Sequence, residues 1–143
     1  MLKLKIHYHR PDLPKIEKIS VGDWIDLRCA EEVTLAAGEF RLISLGISVQ
    51  LPEGYEAHMV PRSSAFRRWG ILQANSFGVI DNSYSGDGDI WHFPALATRD
   101  TCIAFGERIC QFRLFPVMEP ISFEEVPFLE GKDRGGFGST GSR

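Results

Sequence analysis

Phe40-Arg41-Leu42-Ile43-Ser44-Leu45-Gly46-Ile47-Ser48-Val49 leads through the turn Pro52-Glu53-Gly54 into Tyr55-Glu56-Ala57-His58-Met59-Val60. The first run is rich in strand-forming residues with a loose apolar/polar alternation, and the second reads as a strand again. The same pattern continues outward. Upstream, Glu32-Val33-Thr34-Leu35 meets the turn Ala37-Gly38-Glu39, and Gly22 to Ala30 sets Trp24, Ile25 and Leu27 around Asp26. Pro11 and Pro14 make residues 10 to 20 a loop. Leu2, Leu4, Ile6 and Tyr8 alternate with Lys3, Lys5 and His7, which is the signature of a half-buried strand. Downstream, Val79-Ile80 enters a turn-rich segment, and Thr101 to Phe105 and Arg108 to Leu114 are strand-like. Ser64 to Trp69 is the best helix candidate and holds one or two turns. Short strands at close spacing, separated by Gly/Pro turns, predict an all-β sandwich or barrel. One domain over 1–129 is expected, with a Gly/Ser-rich arm over 130–143.

The bulk numbers narrow the function classes. The chain has 143 residues, 43% hydrophobic and 24% charged, with a net charge of −3. A surface for duplex nucleic acid is usually strongly basic, so none is expected, although local Arg clusters can still hold a small anion. No apolar run is long enough to span a membrane. The three cysteines, Cys29, Cys102 and Cys110, form neither a disulfide framework nor a zinc pattern. With the polar N-terminus, this makes a reducing cytoplasm the expected compartment. His7 and His9 point the same way on a strand, but with no third ligand nearby in sequence they read as a solvated pair.

Four segments carry candidate chemistry. Gly78-Val79-Ile80-Asp81-Asn82-Ser83-Tyr84-Ser85-Gly86-Asp87 ends a strand in a turn. Asp81 at the rim of a core, with an aromatic beside it, would be a partly desolvated carboxylate suited to general-base work; it could equally be a turn aspartate bonding backbone N–H groups. Pro61-Arg62-Ser63-Ser64 offers two hydroxyls, a guanidinium and helix-start N–H groups to a phosphate, or simply an N-cap and a surface Arg. Gly135 to Gly141 lets backbone N–H groups approach a ligand closely, and Phe137 within it has no core to join. On Arg108-Ile109-Cys110-Gln111, simple alternation puts Arg108 with Cys110 and Ile109 with Gln111.

Taken in order, Asp26-Leu27, Pro61 to Ser64, Gly78 to Asp87, Arg108 to Gln111 and Gly135 to Gly141 resemble the five motifs of the trimeric dUTPase family. The likeness covers nearly the whole chain. It implies a β jelly-roll (β-clip) homotrimer that hydrolyses dUTP to dUMP and pyrophosphate with Mg²⁺ on the triphosphate, its active sites shared between subunits. By this resemblance Asp81 activates the water, and Tyr84 packs on the deoxyribose and rejects ribonucleotides. Asn75 reads the uracil edge, helped by backbone of the hairpin at Gly78 and Ile80. Arg62, Ser63 and Gln111 hold the triphosphate. Asp26 touches the Mg²⁺ water shell indirectly. Phe137 covers the base, with Gly138, Ser139 and Thr140 at the γ-phosphate.

Several positions depart from the family pattern. Gly22-Asp23-Trp24-Ile25 replaces the usual Ala-Gly before Asp26, and Ser64 stands where glycine is usual, within reach of the α-phosphate or the water. Lys132 holds the spacing of the family's arm arginine, while Arg134 offers the bidentate geometry. Gly88 to Ala95, with Trp91 and Phe93 on one strand face, resembles a Bacillus-type and prophage subgroup. It makes Phe93 a rival to Phe137 as the uracil lid, unless both Trp91 and Phe93 fill the core. Two rival functions share the scaffold: a dCTP deaminase-like enzyme, and a regulatory protein that binds a protein partner.

Overall fold

The computed structural model describes residues 1–136. These form eleven strands and one short helix: β1 (Lys5–Tyr8), β2 (Ile25–Arg28), β3 (Val33–Leu35), β4 (Phe40–Ser44), β5 (Ile47–Gln50), β6 (Tyr55–Pro61), α1 (Ala65–Trp69), β7 (Ile71–Gln73), β8 (Gly78–Ile80), β9 (His92–Ala97), β10 (Thr101–Ile103) and β11 (Arg108–Pro116). The described chain is all-β apart from α1. A four-stranded sheet runs β2-β11-β6-β8 and a three-stranded sheet runs β4-β9-β7; β1 pairs with β5 and β10 with β3. All of these pairings are antiparallel.

The Phe40–Val49 run is two strands rather than one. β4 pairs with β9, β5 pairs with β1, and the chain changes sheets at Leu45-Gly46. Gly46 makes the corner, with φ of 69° and its carbonyl accepting from the His9 N–H at 2.8 Å. A Cβ there would lie 2.6 Å from the Ala30 Cβ. Positive φ and a blocked Cβ position act together, so Gly46→Ala should cost about 2–4 kcal/mol of stability, seen as a lower midpoint in urea at unchanged m-value. The loose alternation in the sequence is the mark of this break: β5 is buried at three successive positions, where both faces are covered.

Leu27, Ile43, Ile47, Trp91, Phe93 and Phe112 are each buried to within 1% and anchor the core between the sheets. In α1, Ala65 and Trp69 lie four apart and turn inward together. Gly70 ends the helix in the left-handed region and donates to the Phe66 carbonyl at 2.6 Å.

One strand departs from simple alternation. β11 carries a bulge between Arg108 and Cys110, where its pairing with β2 skips a residue. Cys110 and Phe112 both turn into the core, and Gln111 turns out opposite Asp26. The expected facing of Arg108 with Cys110 is therefore wrong: the extra residue, Ile109, reverses the face of everything before it.

Candidate functional site

The four-stranded sheet positions two groups of side chains. The first is on β2, β11 and the end of β6. Asp26 on β2 sits directly opposite Gln111 on β11. Its carboxylate is gripped by two guanidiniums, Arg62 Nε at 3.1 Å and Arg108 Nη1 at 3.5 Å. Gln111 Nε2 donates to the Pro61 carbonyl at 3.2 Å, fixing the turn that carries Arg62. Ser63 follows on the surface, and Ser64 occupies the N-cap of α1 without a side-chain cap bond, so its hydroxyl is not spent on the helix. Two cations on one carboxylate leave a net positive patch, suited to a polyanion. Arg108 was not singled out from the sequence; the bulge that aims it at Asp26 leaves no trace in the residue pattern.

The second group surrounds a cavity of about 510 Å³. Asn75, Gly78, Ile80, Asp81 and Tyr84 all line it, as do Gln73, Trp91, His92 and Pro94. A tight turn from Gln73 to Phe77 presents Asn75: Ser76 adopts φ of 63°, and Phe77 N–H donates to the Asn75 carbonyl at 2.6 Å. Gly78 is required by close packing, since a Cβ there would meet Gln73 Nε2 at 2.9 Å. Beyond it the loop is tied down. Asn82 Nδ2 donates to the Pro52 and Tyr55 carbonyls at 2.9 and 2.7 Å, and Tyr84 Oη donates to the Ile90 carbonyl at 3.0 Å. The amide oxygen of Gln73 and the indole N–H of Trp91 are buried without a hydrogen-bond partner among the described residues. Both belong to residues on the cavity wall, but each of these atoms is itself shut off from the cavity.

Two expectations need correction here. Asp81 is exposed, not desolvated. The Ser83 hydroxyl and then the Ser83 backbone N–H, at 2.8 Å, both donate to Oδ2 and hold the carboxyl below its ordinary range. Asp81 is thus an aspartate in a turn and still lines the cavity. Phe93 is completely buried on the core face of β9 and does not line the cavity, so in this conformation it cannot lid a base. The period of two along β9 puts its neighbour His92 outward instead. His92 Nδ1 lies 2.9 Å from the Ile90 carbonyl, the same acceptor that Tyr84 uses. Trp91 and Phe93 fill the core, the plainer of the two readings. In the arm, Lys132 and Arg134 are exposed, with Arg134 Nε donating to the Gly135 carbonyl at 3.4 Å. Phe137, Gly138, Ser139 and Thr140 lie outside the described residues.

The two groups are at opposite ends of one strand. Ile80 pairs with Ala57 near the start of β6, whereas Arg62 follows its end. The six residue steps from Glu56, next to the Ala57 that faces Ile80, to Arg62 span roughly 20 Å.

The dUTPase family model matches residues 20–141. The SPbeta prophage-derived deoxyuridine 5′-triphosphate nucleotidohydrolase YosS of Bacillus subtilis is 52% identical over 142 residues, 99% of this chain and 100% of that protein. This chain belongs to the dUTPase family. A deoxyuridine 5′-triphosphate nucleotidohydrolase of Finegoldia magna is 40% identical over 90% of this chain and 91% of its own length. The fold is that of solved dUTPases. The Staphylococcus bacteriophage 80alpha dUTPase with dUPNHPP superposes with a TM-score of 0.81 at 21% identity, covering 98% of this chain and 99% of that one. The Streptococcus mutans dUTPase gives 0.71 at 21% identity over 82% and 98%. The all-β, jelly-roll expectation therefore holds.

No helix among the described residues is long and apolar enough to cross a membrane. Cys29, Cys102 and Cys110 are free thiols. Burial pushes Cys29 up to about 11 and Cys110 well above its usual value, which leaves both inert as nucleophiles.

Proposed function

We propose that this chain hydrolyses dUTP to dUMP and pyrophosphate as a cytoplasmic homotrimer in which each active site is shared between subunits. The observation that carries this reading is the division of the site. The base- and water-handling residues line a cavity at one end of β6, and the phosphate-suited cations gather at the other. A nucleoside triphosphate needs both within its own length, so a neighbouring copy supplies the second half. Outward-facing Phe40, Leu42 and Leu72 on the β4-β9-β7 sheet support such an assembly, because they make an apolar surface that a subunit contact would cover.

In this reading the uracil enters the cavity, with Asn75 and the backbone at Gly78 and Ile80 along its edge. Asp81 handles the water. Ser83 occupies Oδ2, which leaves Oδ1 to accept a proton as the water oxygen attacks the α-phosphorus. Arg62, Ser63 and Gln111 of the neighbouring subunit hold the phosphate chain and stabilise the charge that develops as pyrophosphate leaves. Ser64, with its hydroxyl uncommitted, reaches the α-phosphate or the water. The arm over 130–143 closes the site, with Arg134 or Lys132 at the γ-phosphate.

The residues fit Mg²⁺ brought by its substrate rather than held in a protein cage. Asp26, the carboxylate of the phosphate half, already faces two guanidiniums and suits contact through a metal-bound water. When bound, the ion neutralises charge on the triphosphate.

Tyr84 sets sugar specificity. Its ring is held through Oη at the Ile90 carbonyl, and its backbone N–H at the Asp81 carbonyl, 2.9 Å away, fixes the turn it stands on, which opposes movement away from a 2′-hydroxyl. Pyrophosphate release from dUTP, dCTP, dTTP and UTP with Mg²⁺ tests both substrate and mechanism. Turnover should be confined to dUTP, and Tyr84→Ala should shrink the preference for dUTP over UTP by roughly tenfold to a hundredfold. Equal turnover of dUTP and UTP by the wild type would refute the steric role. Ammonia release from dCTP would transfer the site to a deaminase.

A further inference from the structure

The geometry points to a binding site for a divalent transition-metal ion, of the zinc or cobalt class, formed by His7, His9 and Asp87 and separate from the Mg²⁺ of the reaction. One imidazole nitrogen from each histidine and one carboxylate oxygen of Asp87 all lie within 4.8 Å of one another. His7 Nδ1 is 2.6 Å from Asp87 Oδ1, and the two imidazole rings are 4.1 Å apart at 42°. Sequence offers the two histidines by their spacing, His7 on β1 and His9 just past its end, but no third ligand. Asp87 is 80 residues on from His7 and arrives through the loop between Asp81 and Trp91.

Three features separate this cluster from a surface ion pair. A His–Asp pair accounts for His7 and Asp87 but not for a second imidazole tilted beside the first. Two imidazoles and a carboxylate form a facial donor set that leaves open positions on a transition metal. Next, His9 has a partner behind it. Ser48, buried to 3%, sets its hydroxyl 2.9 Å from His9 Nε2 and fixes the ring, as supporting groups do for metal-ligating histidines. Finally, there is room. A cavity of about 230 Å³ opens beside the cluster, bounded by His7, Asp87, Ser48 and Lys5 but not by His9, so it gives water access to an ion from the His7–Asp87 side.

Metal–ligand bonds of about 2.0–2.2 Å place neighbouring donor atoms roughly 3 Å apart. The present spread therefore closes with small side-chain movements. The Asp87 backbone needs none, because Gly86 N–H is held by Asp89 Oδ2 at 2.9 Å and Ser85 Oγ by the Asn82 carbonyl at 2.7 Å. Imidazole nitrogen favours a transition metal over Mg²⁺. A bound ion would tie β1 to the loop that carries Tyr84.

The test uses full-length protein carrying Cys102→Ser, which removes the one exposed thiol, and titrates it with Co²⁺ and Zn²⁺ in the absence of Mg²⁺. The expected result is one ion per chain, a visible Co²⁺ absorption band and a higher Tm. His7→Gln, His9→Gln and Asp87→Asn should each raise Kd at least tenfold. His7 and Asp87 are solvent-exposed, so those two variants should keep the metal-free Tm and separate ligation from folding. Binding no tighter than millimolar overturns the proposal, and so does binding that all three variants retain, since the ion would then sit elsewhere.

Discussion

Asp81→Asn should lower kcat for dUTP by roughly 10²–10⁴-fold while leaving KM within a few-fold of wild type. Asparagine keeps the shape and can still accept from Ser83 through its amide oxygen, so the turn at residues 81 to 84 should fold as before. What is lost is the ability to take a proton from water. The pH profile provides a second reading of the same group. The Ser83 hydroxyl and backbone N–H hold the Asp81 carboxyl below its ordinary range, and the ionised form is the active one. Activity should therefore persist into acid and fall only as pH drops through that depressed value. Ser83→Ala removes the larger cause and should move the acid limb to higher pH. Near-wild-type turnover in Asp81→Asn would remove Asp81 from the chemistry.

The second large effect is a recovery. Asp81→Asn and Arg62→Ala should each be nearly inactive as homotrimers, yet mixed trimers should regain activity. If each site draws Asp81 from one subunit and Arg62 from another, random mixing in equal amounts restores about a quarter of the sites. The proposed pairing rests on the placement of Arg62 and Asp81 at opposite ends of β6 within one chain. A site built within one chain would give no recovery at all. Co-expression of two differently tagged variants, tandem purification of the mixed species and a pyrophosphate assay decide between the two.

Much of this was legible in the residues. Several strands fell between the turn residues that bound them, although β7 at Ile71–Gln73 was not read and β1 begins at Lys5 rather than Leu2, and the helix at Ala65–Trp69 fell within the Ser64 to Trp69 candidate. Asn75, Gly78, Ile80, Asp81 and Tyr84 all reach one cavity because they are close in sequence, on β8 and the turns at its two ends. The failures share a physical origin in parity and in long-range closure. Phe93 looked available because an aromatic near a site invites use, but alternation on β9 sends it inward and His92 outward. Asp81 looked desolvated because Val79 and Ile80 precede it, yet Val79 is exposed and the strand ends at Ile80. Asp87 beside His7 is a contact across 80 residues, which no local pattern encodes.

The bulge in β11 also bears on how spacing in this chain should be understood. On a regular strand Arg108 and Gln111, three apart, would face opposite sides of the sheet. The single extra residue at Ile109 sets them on the same side, where both meet Asp26. The spacing between arginine and glutamine is therefore odd in sequence and even in space. Loss of one residue here would leave every polar group of the phosphate half in the chain and yet turn Arg108 away from Asp26. Substitutions in this strand can be judged by side-chain chemistry; insertions and deletions must be judged by counting.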